Sequence, residues 1–171
     1  MNRISFLLLF VCIHISVNAQ ESWKSLTQDA YSIKYPSNWT PDTSKSLGVD
    51  LILYSQLKST EDNFTENINV LIQDLSGYNL DLDKYTEISE QQIKTMIEGG
   101  KIIESKRITN GSIPYHRVIY TGKQNDYKLK FAQHYYVIND KAYVLTLTSE
   151  QDQYDKYIDI AMKVFKSFKL K

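Results

Sequence analysis

Residues 31–40 read YSIKYPSNWT. Tyr31, Ile33 and Tyr35 alternate with smaller or polar residues, the period of a strand with one buried face. Pro36 has no N–H to give to a ladder and is expected to end that strand. Trp39, three residues on, can then fold back as a large apolar plug. Such a plug requires a core behind it, so the rest of the chain is searched for a sheet and its cover.

Strand period recurs on both sides of this stretch. It appears in WKSLT (23–27), VDLILYSQ (49–56), ENINVLIQDL (66–75), KIIESKRIT (101–109), IPYHRVIYT (113–121), YKLKFAQHYYVI (127–138) and KAYVLTLTS (141–149). Asn110-Gly111 lies between two of these runs and predicts a tight hairpin. Asn139-Asp140 predicts another, because both residues tolerate positive φ. TPDTSKSLG, 40–48, is rich in turn formers and reads as the longest loop. The middle and end of the sheet are thus expected to form an antiparallel meander.

Two segments have helical period instead. Tyr85, Ile88, Ile93, Met96 and Ile97 fall near one face, with Asp81 or Asp83 as N-cap and Gly99-Gly100 as the stop. Tyr154, Tyr157, Ile158, Ala161, Phe165 and Phe168 form a second apolar stripe. Ser149 and Asp152 make a weak capping box before it. In AYVLTLT, Tyr143, Leu145 and Leu147 face one way, Ala142 and Val144 the other. A strand apolar on both faces needs cover on both. One sheet with helices packed against it is an α+β architecture.

The chain opens MNRISFLLLFVCIHISVNAQ. Arg3, the apolar run from Ile4 to Val17 and the small residues of Val17-Asn18-Ala19 have the order of an export signal. The run is shorter than the ~18 apolar residues a membrane span needs. The expectation is a signal peptide over 1–19, an exported domain over 20–171, and no transmembrane segment after cleavage. Cys12, the only cysteine, belongs to the discarded piece. The mature chain is therefore expected to have no disulfide, thiol nucleophile or thiolate metal site. Twenty basic residues balance twenty acidic ones, and loss of Arg3 leaves a net charge of about −1. A near-neutral chain without a basic block is not built for nucleic acid.

The strand closed by Pro-x-x-Trp resembles the opening of the PsbP-like superfamily, which includes the extrinsic photosystem II protein and DcrB-type bacterial envelope proteins. INVLIQDL (68–75) resembles that family's central strand. LDLDKYTEISEQQIK (80–94) resembles the helix after it, with Tyr85 near its start. ITNGSIPYHRVIYTG (108–122) resembles its Asn-Gly hairpin with a downstream tyrosine, here Tyr120. The second helix followed by SFKL (167–170) resembles its ending. The resemblance implies a PsbP-like αβα sandwich. It implies little about activity, since these motifs are packing and turn residues. That superfamily also includes a Ran-binding nuclear protein, but the leader points to export, so neither a photosynthetic nor a nuclear role is carried over.

No GxSxG, HExxH, GxGxxG or phosphate-binding loop occurs, and the chain is read as non-enzymatic, with no cofactor and no metal. Three groups of residues bear on that reading. His116 and His134 lie on neighbouring strands. They share a face if the intervening turn centres on residue 125 and point oppositely if the loop is 123–126. Two histidines are in any case few for a metal. Asn79, Asp81, Asp83 and Glu90 fall at ligand positions of a calcium loop, but Lys84 stands where glycine is required, and Asp81 and Asp83 fit a helix N-terminus better. Tyr135, Tyr136 and Tyr143 could stack on sugars or peptides if exposed, although tyrosine is common in strands for packing alone. A hydrolase whose site is assembled from scattered Asp, Glu, Tyr and His is a third reading that no local motif supports. Two functions lead. One is an exported accessory domain assisting a protein assembly in the bacterial envelope. The other is a binder of a small hydrophobic or sugar ligand in a sheet–helix cleft.

Overall fold

The computed structural model describes residues 22–45, 47–111 and 113–171. The expected signal peptide and Cys12 lie outside them. The elements in order are β1 (Trp23–Thr27), β2 (Tyr31–Pro36), β3 (Thr40–Asp42), β4 (Leu51–Tyr54), β5 (Asn67–Asp74), α1 (Leu82–Met96), β6 (Glu98–Ile108), β7 (Tyr115–Gln124), β8 (Tyr127–Ile138), β9 (Lys141–Glu150), α2 (Tyr154–Ser167) and β10 (Lys169–Leu170). Seven strands form one sheet in the order β3-β4-β5-β9-β8-β7-β6, and β1, β2 and β10 form a second. All pairings are antiparallel.

The large sheet is covered on both faces. α1 packs over β6, β7 and β8, where Leu82 and Ile93 sit on Val118, Tyr120, Tyr135 and Val144. α2 and β2 cover the opposite face, where Ala161, Val164 and Phe165 meet Tyr31, Ile33, Leu145 and Leu147. β9 is buried on both sides, as its two apolar faces require. The architecture is the α+β sandwich expected.

The opening stretch folds as its residues dictate. Tyr31, Ile33 and Tyr35 are buried on one side of β2, and Pro36 is its last residue. The Trp39 N–H donates to the Pro36 carbonyl at 3.0 Å, closing a turn. The indole is 4 % exposed and meets Tyr157 of α2 edge to face at 6.1 Å. β10 adds to the other side of β2, Ser32 opposite Lys169 and Tyr31 opposite Leu170. The Lys34 N–H donates to the Ser167 hydroxyl at 2.8 Å, a contact between residues 133 positions apart.

Several local readings are corrected. β3 lies within 40–48, where a loop was expected, because Thr40–Asp42 finds β4 as a partner. Asn110-Gly111 is not a two-residue turn. The ladder ends at Ile108 opposite Tyr115, so 109–114 forms a wider connection, and Pro114 beside Tyr115 cannot extend it. Gly99-Gly100 does not stop α1. The helix ends at Met96 with Ile97 extended, and the two glycines lie in β6. Gly99 has φ +63° where the register shifts between Glu98 and Lys101, a bulge only glycine enters easily. Ile88 and Met96 point outward, 39 % and 77 % exposed, while Thr86 is buried in their stead. Ser149 does not cap α2. It is a buried strand residue whose hydroxyl donates to the Glu150 carbonyl, and the N-cap is Gln153.

Other readings hold. Asn139 and Asp140, with φ of 49° and 55°, form the tight turn between β8 and β9. Asp81 caps α1, its Oδ1 accepting the Lys84 N–H at 2.8 Å. Asp81→Ala should lower the free energy of unfolding by about 1 kcal/mol in a urea titration, and Asp81→Asn should restore most of it. Equal loss in both variants would show that the cap is not the cause.

Candidate functional site

The strands around the β7–β8 turn fix where the histidines go. Gln124 pairs with Tyr127, so Asn125-Asp126 is the turn, and Asn125 carries the positive φ of 53°. His116 consequently faces Tyr135, and Arg117 faces His134. The two histidines point to opposite faces of the sheet and cannot share a metal. Among the described residues no group of three or more His, Asp or Glu could hold one.

On the α1 face, the His116 Nε2 is 2.7 Å from the Ser105 hydroxyl. Desolvation lowers the pKa of this ring, opposed by the Glu90 and Asp83 charges. The residues read against a calcium loop surround it in other roles. Asp81 is the helix cap, Asp83 pairs with Arg107, and Glu90 accepts from Ser105 and lies 3.7 Å from Lys94. Asn79 sits at positive φ in the turn before α1. These carboxylates are spent on local partners and do not converge.

The tyrosine cluster is mostly core. Tyr135 is buried on the α1 face, edge to face with Tyr85 at 5.5 Å, and Tyr143 is buried on the α2 face, 6.2 Å from Phe168. Tyr136 is half-buried and opens onto a groove of about 680 Å³. Asn110, Gly111, Ile113 and Tyr115 supply one side, the end of β8 the floor, and the last turn of α2 with β10 the other side. Phe165 is buried because α2 must bury its apolar stripe. Phe168 follows the helix as an extended residue and is turned back over the sheet. The rings meet in series: Tyr115 with Tyr136 at 5.3 Å, Tyr136 with Phe168 at 5.7 Å, and Phe168 with Tyr31 at 5.1 Å.

His134 lies in this groove's floor. It stacks on Tyr115 at 4.3 Å and leans on Phe165 at 4.8 Å. Its residue is 3 % exposed, and neither ring nitrogen has a hydrogen-bond partner. Burial, with a smaller push from the Arg117 charge, lowers its pKa to about 3. The ring is therefore neutral at ordinary pH, one nitrogen a donor and the other an acceptor. Arg117 is held by Glu104, its Nε at 2.7 Å from the carboxylate. Burial also raises the Tyr136 phenol to about 12. Lys166 and Lys169 stand exposed at the groove with no carboxylate partner among the described residues. The site can stack, hold an anion and exchange neutral hydrogen bonds.

The model of the PsbP family matches residues 22–170. The chain belongs to the PsbP family. The PsbP fold recurs in the solution structure of cyanobacterial PsbP, CyanoP, from Synechocystis sp. PCC 6803, at TM-score 0.66 and 17% identity, covering 95% of this chain and 99% of that one. It recurs in LpqN, described as involved in cell envelope biogenesis of Mycobacterium tuberculosis, at TM-score 0.63 and 16% identity, covering 90% and 87%. At such identities the likeness is one of fold. No curated protein matches the chain. Among the described residues no helix of this PsbP-family domain is long and apolar enough to cross a membrane.

Two features stand out in the structure without standing out in the sequence, the lysines of the groove and a buried carboxylate away from it. Lys166 and Lys169 sit among other exposed lysines of the C-terminal segment, with no pattern that singles them out. Glu66 read as an ordinary strand residue, yet it is fully buried and accepts from the Lys58 ammonium at 3.1 Å. A carboxylate opening an apolar strand was the available signal for the second. Nothing local signals the first.

Proposed function

We propose that this chain is an exported, non-catalytic accessory domain that assists a protein assembly in the bacterial envelope. The groove on the α2 face carries the reading. It is lined by stacking rings and two lysines, with no carboxylate and no nucleophile beside a base, which is the composition of a binding surface and not of a reaction centre. The leader-like first 19 residues and the fold shared with an envelope-biogenesis protein support the location. The test is in-cell photo-cross-linking from position 169, beside the groove, and from position 103, on the edge strand β6. One dominant envelope protein captured from 169 and not from 103 is expected. Equal capture from both, or none, would overturn the reading. Fractionation should place the chain outside the cytoplasm with Gln20 as its first residue.

A second reading is favoured by the groove's size. About 680 Å³ lies within the ~300–1,000 Å³ typical of small-molecule sites. In this reading the domain binds a small hydrophobic or sugar ligand between sheet and helix. A native mass spectrum of gently purified protein should then show added mass that is lost on denaturation. A clean spectrum at the bare chain mass would count against it.

A further inference from the structure

We infer that the groove on the α2 face takes a small aromatic carboxylate bearing one hydroxyl, its anionic end at Lys166 and Lys169, its ring against the groove side of Tyr115, Tyr136 and Phe168, and its hydroxyl at His134. This rests on the second reading above and names the ligand's chemistry. Four independent features of the site converge on it.

The first is charge. Lys166 and Lys169 line the groove, and no acidic residue does. Neither lysine has a carboxylate partner among the described residues, so both ammonium groups are available to an incoming anion. The second is wall chemistry. Tyr115, Tyr136 and Phe168 present rings 5.3–5.7 Å apart in sequence around the groove, a spacing at which aromatic groups already interact and a further ring can join.

The third feature is His134. A buried polar group without a partner is destabilising, and both nitrogens of this ring are in that state. The two nitrogens of the neutral ring, one a donor and one an acceptor, point apart, so a single ligand hydroxyl can partner one of them, either donating to the bare nitrogen or accepting from the N–H. The fourth is what the groove lacks. Sugar recognition uses several carboxylates and amides to meet many hydroxyls. Here Asn110 is the lone side-chain amide in the lining. A ligand with one hydroxyl and one carboxylate fits the donor set better than a polyol.

The probe is hydroxyphenylpropionate, titrated into the mature chain while the imidazole nitrogens of His134 are followed by NMR. Phenylpropionate, which lacks the hydroxyl, and the methyl ester, which lacks the charge, are the controls. Saturable binding with a shift at the His134 nitrogens is expected. The ester should bind roughly tenfold or more weakly, as should the acid to the Lys166→Gln, Lys169→Gln double variant, whose sites are exposed and leave the fold intact. Phenylpropionate should bind without moving the His134 signals in the same way. Equal affinity for acid and ester, or an unaffected double variant, would overturn the anion assignment. No saturable binding by folded protein would overturn the proposal as a whole. The two levels separate cleanly. A neutral molecule found in the groove by native mass spectrometry would leave the second reading standing and remove this one.

Discussion

Trp39→Ala should lower the free energy of unfolding by about 3–5 kcal/mol, a large share of what a domain of this size holds. The ring is 4 % exposed and closes the core where β2 leaves the small sheet. Truncation would remove its burial and open a cavity against Tyr157, which now meets it at 6.1 Å. Trp39→Phe should recover much of the loss, because a smaller ring still fills part of the space. Urea denaturation followed by far-ultraviolet circular dichroism measures both. A loss below about 1 kcal/mol for the alanine variant would mean that the indole is not a core residue.

The second large effect concerns pH. An unfolded chain protonates His134 near the ordinary value of about 6.5, whereas the folded protein resists until about pH 3. Between those values the unfolded state binds more protons, so stability is full above pH 6.5 and declines as pH falls. The slope is about 1.4 kcal/mol per pH unit, and the whole window amounts to about 5 kcal/mol. Arg117 opposite, with Tyr115 and Tyr136 beside it, offers no negative charge to soften this at acid pH. His116 is also depressed by burial and adds in the same direction. Asp42, Asp62 and Asp74, held low by hydrogen bonds, lose their contribution only at more acid pH. Between pH 6.5 and 4.5 His134→Phe should therefore flatten the decline by roughly 2 kcal/mol relative to the parent chain. An unchanged slope in that variant would show that another group drives acid unfolding.

The parts of the fold that were legible in the sequence are local ones. Residues 31–40 hold strand, stop and plug within one short stretch, so alternation and proline chemistry suffice. Asp81 and Asn139-Asp140 were legible for the same reason, since a cap and a tight turn are decided by a few neighbouring atoms. β3 was not, because three residues become a strand only when β4 lies alongside. Asn110-Gly111 misled because the register of β6 on β7 is set along their whole length, and it ends at Ile108 and Tyr115. The relation of His116 to His134 depended on one residue of turn length, which alternation cannot resolve. The groove was least legible. Tyr115, His134, Phe165 and Lys169 come from four elements, and only the sandwich brings them together.

The pairing of β10 with β2 also governs when the domain can form. Tyr31 and Ser32 wait for Leu170 and Lys169, and Lys34 waits for Ser167. Closure over so long a stretch of chain carries a large entropic cost before any contact rewards it, which makes folding slow for the domain's size. A chain emerging residue by residue, from a ribosome or through a translocation pore, can pair β1 with β2 early. It cannot seal the α2 face until residues 164–170 have followed. Late sealing leaves the α2 face open until the last residues are made, and the groove comes into being last.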